Sequence, residues 1–169
     1  MISKKTIVWG CGIVALVCVV GVAAVALGFA YIVQDVKGVG VSVNGPTDVV
    51  VGQTFELSVT VTNERPRKVL ALSDVDIAEG YLAGFTVSTI EPRPKSNMHV
   101  PIDNSRSFTF GVQIPPRESR TFSFTLRAEK PGLYRGDVDI CEGARFITGM
   151  AQTSVKEKDK YQSSVISHQ

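Results

Sequence analysis

Apolar positions along this chain follow two different rhythms. From Ile7 to Val33, 27 consecutive residues carry no charged or strongly polar side chain. After Asp35 the chain becomes polar and alternating, rich in Thr, Ser, Val and Phe. In Phe55-Glu56-Leu57-Ser58-Val59-Thr60-Val61-Thr62 every odd position is apolar and every even one polar. A period of two places one set of side chains in a core and the other in water, which predicts a half-buried strand. Ser107 to Ile114 and Thr121 to Ala128 repeat the pattern with phenylalanines on the apolar side. Between them lies Pro115-Pro116-Arg117-Glu118-Ser119, whose prolines cannot continue a ladder. The pair therefore reads as an antiparallel hairpin with an aromatic inner face.

Further strands are predicted at Val39–Val43, Val69–Ile77, Phe85–Ile90, Leu133–Cys141 and Phe146–Val155. Turn-like Gly, Pro and Asn clusters separate them, at Asn44-Gly45-Pro46, Glu79-Gly80, Glu91-Pro92-Arg93-Pro94 and Lys130-Pro131-Gly132. In Val69–Ile77 the phase slips, because Leu70 and Leu72 are out of step with Val75 and Ile77; a bulge near Ser73 reconciles them. No later stretch keeps a helical period. The fold class expected is all-β: an immunoglobulin-like two-sheet antiparallel sandwich of seven or eight strands, preceded by one transmembrane α-helix.

The apolar run is the expected helix. At about 1.5 Å per residue it exceeds a hydrocarbon core of about 30 Å, which leaves room for tilt. Trp9 and Tyr31 fall near its ends, where amphipathic rings prefer to sit, and Lys4 and Lys5 precede it. The positive-inside rule then keeps residues 1–6 cytoplasmic, with 7–33 as the span, 34–38 as a linker, 39–155 as an extracytoplasmic sandwich and 156–169 as a polar tail. The competing reading is a signal peptide cleaved near Gly28-Phe29-Ala30, but a signal core has only about 7–15 apolar residues. Lipidation at Cys11 is a poorer fit, given the bulky Trp9 and the short apolar lead. Gly21, Ala24 and Gly28 share a helical face, a spacing that allows close helix approach but is also common in any membrane helix.

Charge narrows the partners. From Asp35 onward 16 basic and 16 acidic residues cancel, and no basic cluster of the kind that neutralises phosphates appears. Nucleic acid is not an expected partner. Of three cysteines only Cys141 lies in the polar region, so the domain cannot staple itself with a disulfide and must fold on its core.

Val51-Gly52-Gln53-Thr54-Phe55-Glu56-Leu57-Ser58-Val59-Thr60-Val61-Thr62-Asn63 resembles the second-strand signature of bacterial immunoglobulin-like surface modules, including the cell-adhesion-related domains. The stretch from Ile114 through Pro131-Gly132-Leu133-Tyr134-Arg135-Gly136 is similar to their later hairpin and its Lys-Pro-Gly-x-Tyr turn. The resemblance implies the sandwich fold more than any activity, since such sandwiches host many roles. The cysteine pair and packed tryptophan of antibody domains are absent.

Candidate chemistry is sparse. Asp74, Asp76 and Glu79 form one acidic cluster and Asp137 with Asp139 another, but calcium needs six to eight oxygens and no Asp/Asn-rich loop completes them. A copper site from Cys141, Met150 and His99 lacks its second histidine where Phe146 stands, and His168 sits in the tail. No Gly-x-Ser-x-Gly elbow occurs, and Cys141 at a strand end reads as an inert thiol. Two basic loops, at Arg65-Pro66-Arg67-Lys68 and Arg93-Pro94-Lys95, would meet an acidic polymer or lipid headgroups if the fold brought them to one end. Tyr81-Leu82-Ala83-Gly84-Phe85 is apolar yet flanked by glycines, so it either plugs the core or forms an exposed patch.

The functional expectation is a membrane-anchored, non-enzymatic, cofactor-free interaction module that binds another envelope or surface protein, with Tyr81, Leu82 and Phe85 as the contact. The rival is a small extracytoplasmic enzyme or a ligand or metal carrier, its site assembled from distant strands.

Overall fold

A computed structural model describes residues 17–27 and 36–158. Residues 17–27 form a helix, α1. Its valines and leucine are exposed on every side, from Val17 and Val19 to Val25 and Leu27. No helix among the described residues is long and apolar enough to cross a membrane. Trp9 and Tyr31, expected at the ends of a span, lie outside the described residues.

From Val36 the chain forms a second compact unit. Its strands are β1 (Val39–Asn44), β2 (Asp48–Val50), β3 (Thr54–Asn63), β4 (Leu70–Ala78), β5 (Phe85–Glu91), β6 (Ser96–Val100), β7 (Ser105–Ile114), β8 (Ser119–Ala128), β9 (Gly132–Glu142) and β10 (Arg145–Lys156), with a single helical turn, α2 (Glu79–Leu82), between β4 and β5. They make a four-stranded sheet in the order β1-β3-β8-β5 and a six-stranded sheet in the order β2-β10-β9-β4-β7-β6. The immunoglobulin-like two-sheet sandwich is thus observed, with two more strands than the upper expectation. The additions are β2 and β6. The three residues of β2 pair parallel with β10, so the sandwich is not wholly antiparallel. All of β6 except Val100 is exposed, which leaves its sequence without an alternating signal.

The aromatic pair of strands requires a correction. β7 and β8 do not form a hairpin: β7 pairs with β4 and β6, and β8 with β3 and β5. The proline turn carries the chain from one sheet to the other. The phenylalanines consequently meet across the interior, Phe110 on Phe122 at 4.4 Å and Phe108 on Phe124 at 5.2 Å between ring centres. Alternation reveals which face of a strand is buried but not which sheet it joins. The expected bulge is present, with the β4–β7 register shifting between Leu72 and Asp74.

The segment from Tyr81 to Phe85 is core, which corrects the contact patch expected there. Tyr81 is 0%, Leu82 6% and Phe85 8% exposed. Phe85 lies about one ring's width from three neighbours, 5.2 Å from Phe55 and 5.1 Å from both Tyr81 and Tyr134. The Tyr81 hydroxyl shares a hydrogen bond with Thr153 at 3.1 Å, which satisfies its one polar atom. Gly84 is required by packing: a Cβ there would stand 2.3 Å from the Tyr134 ring. The glycine that gave the segment a loop-like look is what lets it close against β9. Val36, expected in a linker, is also buried, and its N–H donates to the Phe146 carbonyl at 3.4 Å.

Candidate binding cleft and the acidic face

Two sheets of unequal width leave their margins unclosed on one side. β5 ends the four-stranded sheet and β6 ends the six-stranded one, so each has one backbone edge without a partner strand among the described residues. Between them opens a cleft of about 550 Å³, lined by Val87 to Glu91 on one wall and Ser96, Asn97, Arg106 and Phe108 on the other, with Arg93, Pro94 and Lys95 across one end. Ser88 sits at an irregularity in the β5–β8 register and is exposed, so it faces this space without a ladder partner. Unpaired strand edges readily accept an added extended chain. Arg106 is oriented here by Glu79, which it reaches at 3.0 Å, and His99 lies 3.4 Å from the same carboxylate.

The two acidic pairs become one surface. Asp76 lies opposite Asp139, and Asp74 opposite Cys141, on the outer face of the six-stranded sheet. Burial pushes the Asp76 carboxyl above its ordinary value, and the charges of Asp74 and Asp103 add to this; the Ser107 hydroxyl and the Cys141 thiol oppose it. Asp76 Oδ1 is buried with no hydrogen-bond partner among the described residues. Asp139 is raised for the same chief reason, desolvation, against a hydrogen bond from Thr148. Burial, with the carboxylates around it, also pushes the Cys141 thiol far up. Its Sγ donates to Asp76 Oδ2 at 3.5 Å. A thiol held protonated is a poor nucleophile and a poor metal ligand. Among the described residues no three His, Cys, Asp or Glu groups converge to hold a metal ion. The residues considered for copper are dispersed: Cys141 lies against Asp76, His99 against Glu79, and Met150 against Arg135.

The acidic face carries a stability signature. A carboxyl raised by burial holds its proton in the folded state at pH values where the unfolded chain, near 3.8, has lost it. The folded state then binds more protons, so stability falls as pH rises through that window. Asp76→Asn should therefore melt at a higher temperature than the parent near neutral pH, with the advantage vanishing once the pH is low enough to protonate Asp76. Thermal melts followed by circular dichroism across the acid range test this. An asparagine variant less stable at every pH would mean that the carboxylate stabilises the fold.

The opposite is true where Arg65 meets Glu142. Both terminal guanidinium nitrogens, Nη1 and Nη2, donate to the carboxylate at 2.8 Å, holding its pKa down. Arg145 adds a third bond at 3.0 Å. This group ties the β3–β4 connection to the β9–β10 turn.

Facing sheets, a phenylalanine-rich interior and a chain that crosses between sheets define the class: an immunoglobulin-like β sandwich. Solved structures similar to it include the CARDB domain of a Pyrococcus furiosus protein in complex with di-metal ions, at 16% identity and a TM-score of 0.48 over 73% of this chain and 93% of that one. AvmM, which catalyses macrocyclisation in alchivemycin A biosynthesis, is similar at 13% identity and a TM-score of 0.48, over 75% of this chain and 96% of that one. A cohesin module from a Clostridium perfringens family 33 glycoside hydrolase is similar at 13% identity and 0.46, over 74% of this chain and 100% of that one. No family model and no curated protein matches the chain in sequence.

Proposed function

We propose that the sandwich is a non-enzymatic interaction module, anchored outside the cytoplasm by the apolar N-terminal segment, that holds an extended segment of another envelope or surface protein. The observation that carries this reading is the cleft between two free strand edges. An extended chain laid along β5 would gain backbone hydrogen bonds, and its alternate side chains would enter the space lined by Val87, Ile90 and Phe108. The anchor is supported by the unbroken run from Ile7 to Val33, by the lysines before it and by the all-round apolar surface of α1.

The test has two arms in intact cells. The protein should stay in membranes through carbonate washing, and added protease should reach the sandwich. A photocrosslinker at Ser88 should recover one defined partner that the same probe at Thr121, on the far face of β8, does not. With the probe moved to Asn97 on the facing wall, Ser88→Trp, which fills the cleft, should abolish the crosslinked product while leaving the melting temperature unchanged. Release of a mature form beginning near Tyr31 would remove the anchor. Turnover of a substrate by the purified domain, with no partner at Ser88, would make it an enzyme instead.

A further inference from the structure

Every connection of the sandwich falls at one of its two ends, and charge is divided unevenly between them. Strand directions and registers bring residues 36–38, 64–69, 92–95, 115–118 and 143–144 to the same end. These segments carry seven cationic side chains and only two anionic ones, Glu64 and Glu118. The charged connections of the opposite end, 79–84, 101–104 and 129–131 with 157–158, carry four anionic side chains and two cationic. A domain whose charges cancel in sum is therefore polarised along its length.

Six of the seven cations at the basic end face solvent, with Lys95 Nζ donating to the Gly111 carbonyl at 3.2 Å. Lys37, Arg67, Lys68, Arg93, Lys95 and Arg117 are all exposed. None makes an ion pair among the described residues. The seventh, Arg65, is engaged by Glu142. This is also the end at which the sandwich begins. Val36 is buried there, and only Gln34 and Asp35 separate it from Val33, the last residue of the apolar run.

We infer that this basic end is a membrane-contact surface that binds the anionic headgroups of the bilayer entered by the chain's own apolar segment. The inference rests on the anchor part of the proposed function but not on the cleft. Two features favour lipid over another polyanion. The cations are spread over separate loops around one end of the domain, with only Arg93 and Lys95 also bordering the cleft, which suits a flat charged sheet. The covalent path also keeps that end within a few residues of the apolar run. Each Lys or Arg close to an anionic surface strengthens binding about fivefold, and the attraction fades beyond a Debye length of about 8 Å at physiological salt.

The core is built entirely from residues between Val36 and Val155, so the fragment 36–158 carries its own packing and can be tested without the apolar segment. In flotation assays it should bind phosphatidylcholine vesicles containing phosphatidylglycerol and bind pure phosphatidylcholine far less. Salt near 1 M, where the Debye length is about 3 Å, should release it. Arg67→Glu with Lys68→Glu should cut binding more than tenfold, whereas Arg127→Glu with Lys130→Glu, towards the other end, should leave it unchanged. Arg67→Ala with Lys68→Ala, checked for an unaltered melt, repeats the test without charge reversal. Ser88→Trp should bind vesicles like the parent, which separates this surface from the cleft. Equal binding to neutral and anionic vesicles, equal loss from reversals at either end, or equally tight binding to soluble polyglutamate would overturn the assignment.

Discussion

Replacing Asn63 with leucine should lower the unfolding free energy by about 3 kcal/mol, the upper part of the range for stranding buried polar groups. Asn63 is 0% exposed at the end of β3. Its amide nitrogen lies 2.9 Å from the Lys68 and Ile114 carbonyls and 3.1 Å from that of Pro115, and its Oδ1 accepts the Arg65 N–H at 3.2 Å. Its own backbone closes two further bonds, to Glu118 and from Arg117. One side chain thus serves the β3–β4 connection and the β7–β8 turn together. Leucine matches the size but leaves the buried Ile114 carbonyl, the part-buried Lys68 and Pro115 carbonyls and the Arg65 N–H without their amide partner. Asn63→Asp should cost more still, because a carboxylate would face those same carbonyls with no proton to offer. Urea unfolding should show the midpoint moving with the slope unchanged. A shift worth under about 1 kcal/mol would mean that water replaces the amide.

Asn63 also marks where sequence reading stops. Standing after Thr62 and before Glu64, it reads as a turn residue, and nothing nearby names carbonyls some fifty positions away as its partners. The alternating strands β3, β7, β8 and β9 were legible because each buries one face, and period two records that directly. The bulge in β4 was legible for the same reason, as a break of phase at Ser73. β2 is only three residues long and β6 buries almost nothing, so neither left a periodic trace. Pairing between distant strands was equally silent. Asp76 and Asp139 are neighbours only through the β4–β9 register, and β7 and β8 lie in different sheets although one short turn joins them.

The candidate site shows the same limit. Neither wall of the cleft stands out in composition, because what distinguishes β5 and β6 is the absence of a further strand beside them, a property of topology. The two basic loops were visible, and the structure meets the condition attached to them by bringing both to one end. Whole-chain charge hid this, since a sum of zero does not record position.

The segment misread as a contact patch provides the other large expected effect. Leu82→Asp combined with Phe85→Ser should abolish cooperative folding of the sandwich. Phe85 packs against Phe55, Tyr81 and Tyr134, and truncating such a residue costs about 3–5 kcal/mol. Leu82 is slightly more buried still, and an aspartate there must either ionise out of water or take up a proton, each at a cost of several kcal/mol beyond the lost packing. Together these changes match the whole stability of an ordinary domain, about 5–15 kcal/mol. The double variant should therefore lose its thermal transition and accumulate as insoluble chain. Phe85→Leu, which keeps most of the apolar volume, should retain a cooperative melt at a lower temperature. The comparison with Ser88→Trp is decisive, because that position lies three residues further along β5 but faces the cleft. If Ser88→Trp loses the partner with its fold intact while Leu82→Asp/Phe85→Ser loses the fold itself, the core is assigned to the Tyr81–Phe85 segment and the contact to the cleft further along β5. A double variant that melts like the parent yet no longer captures a partner would return the contact to the Tyr81–Phe85 segment.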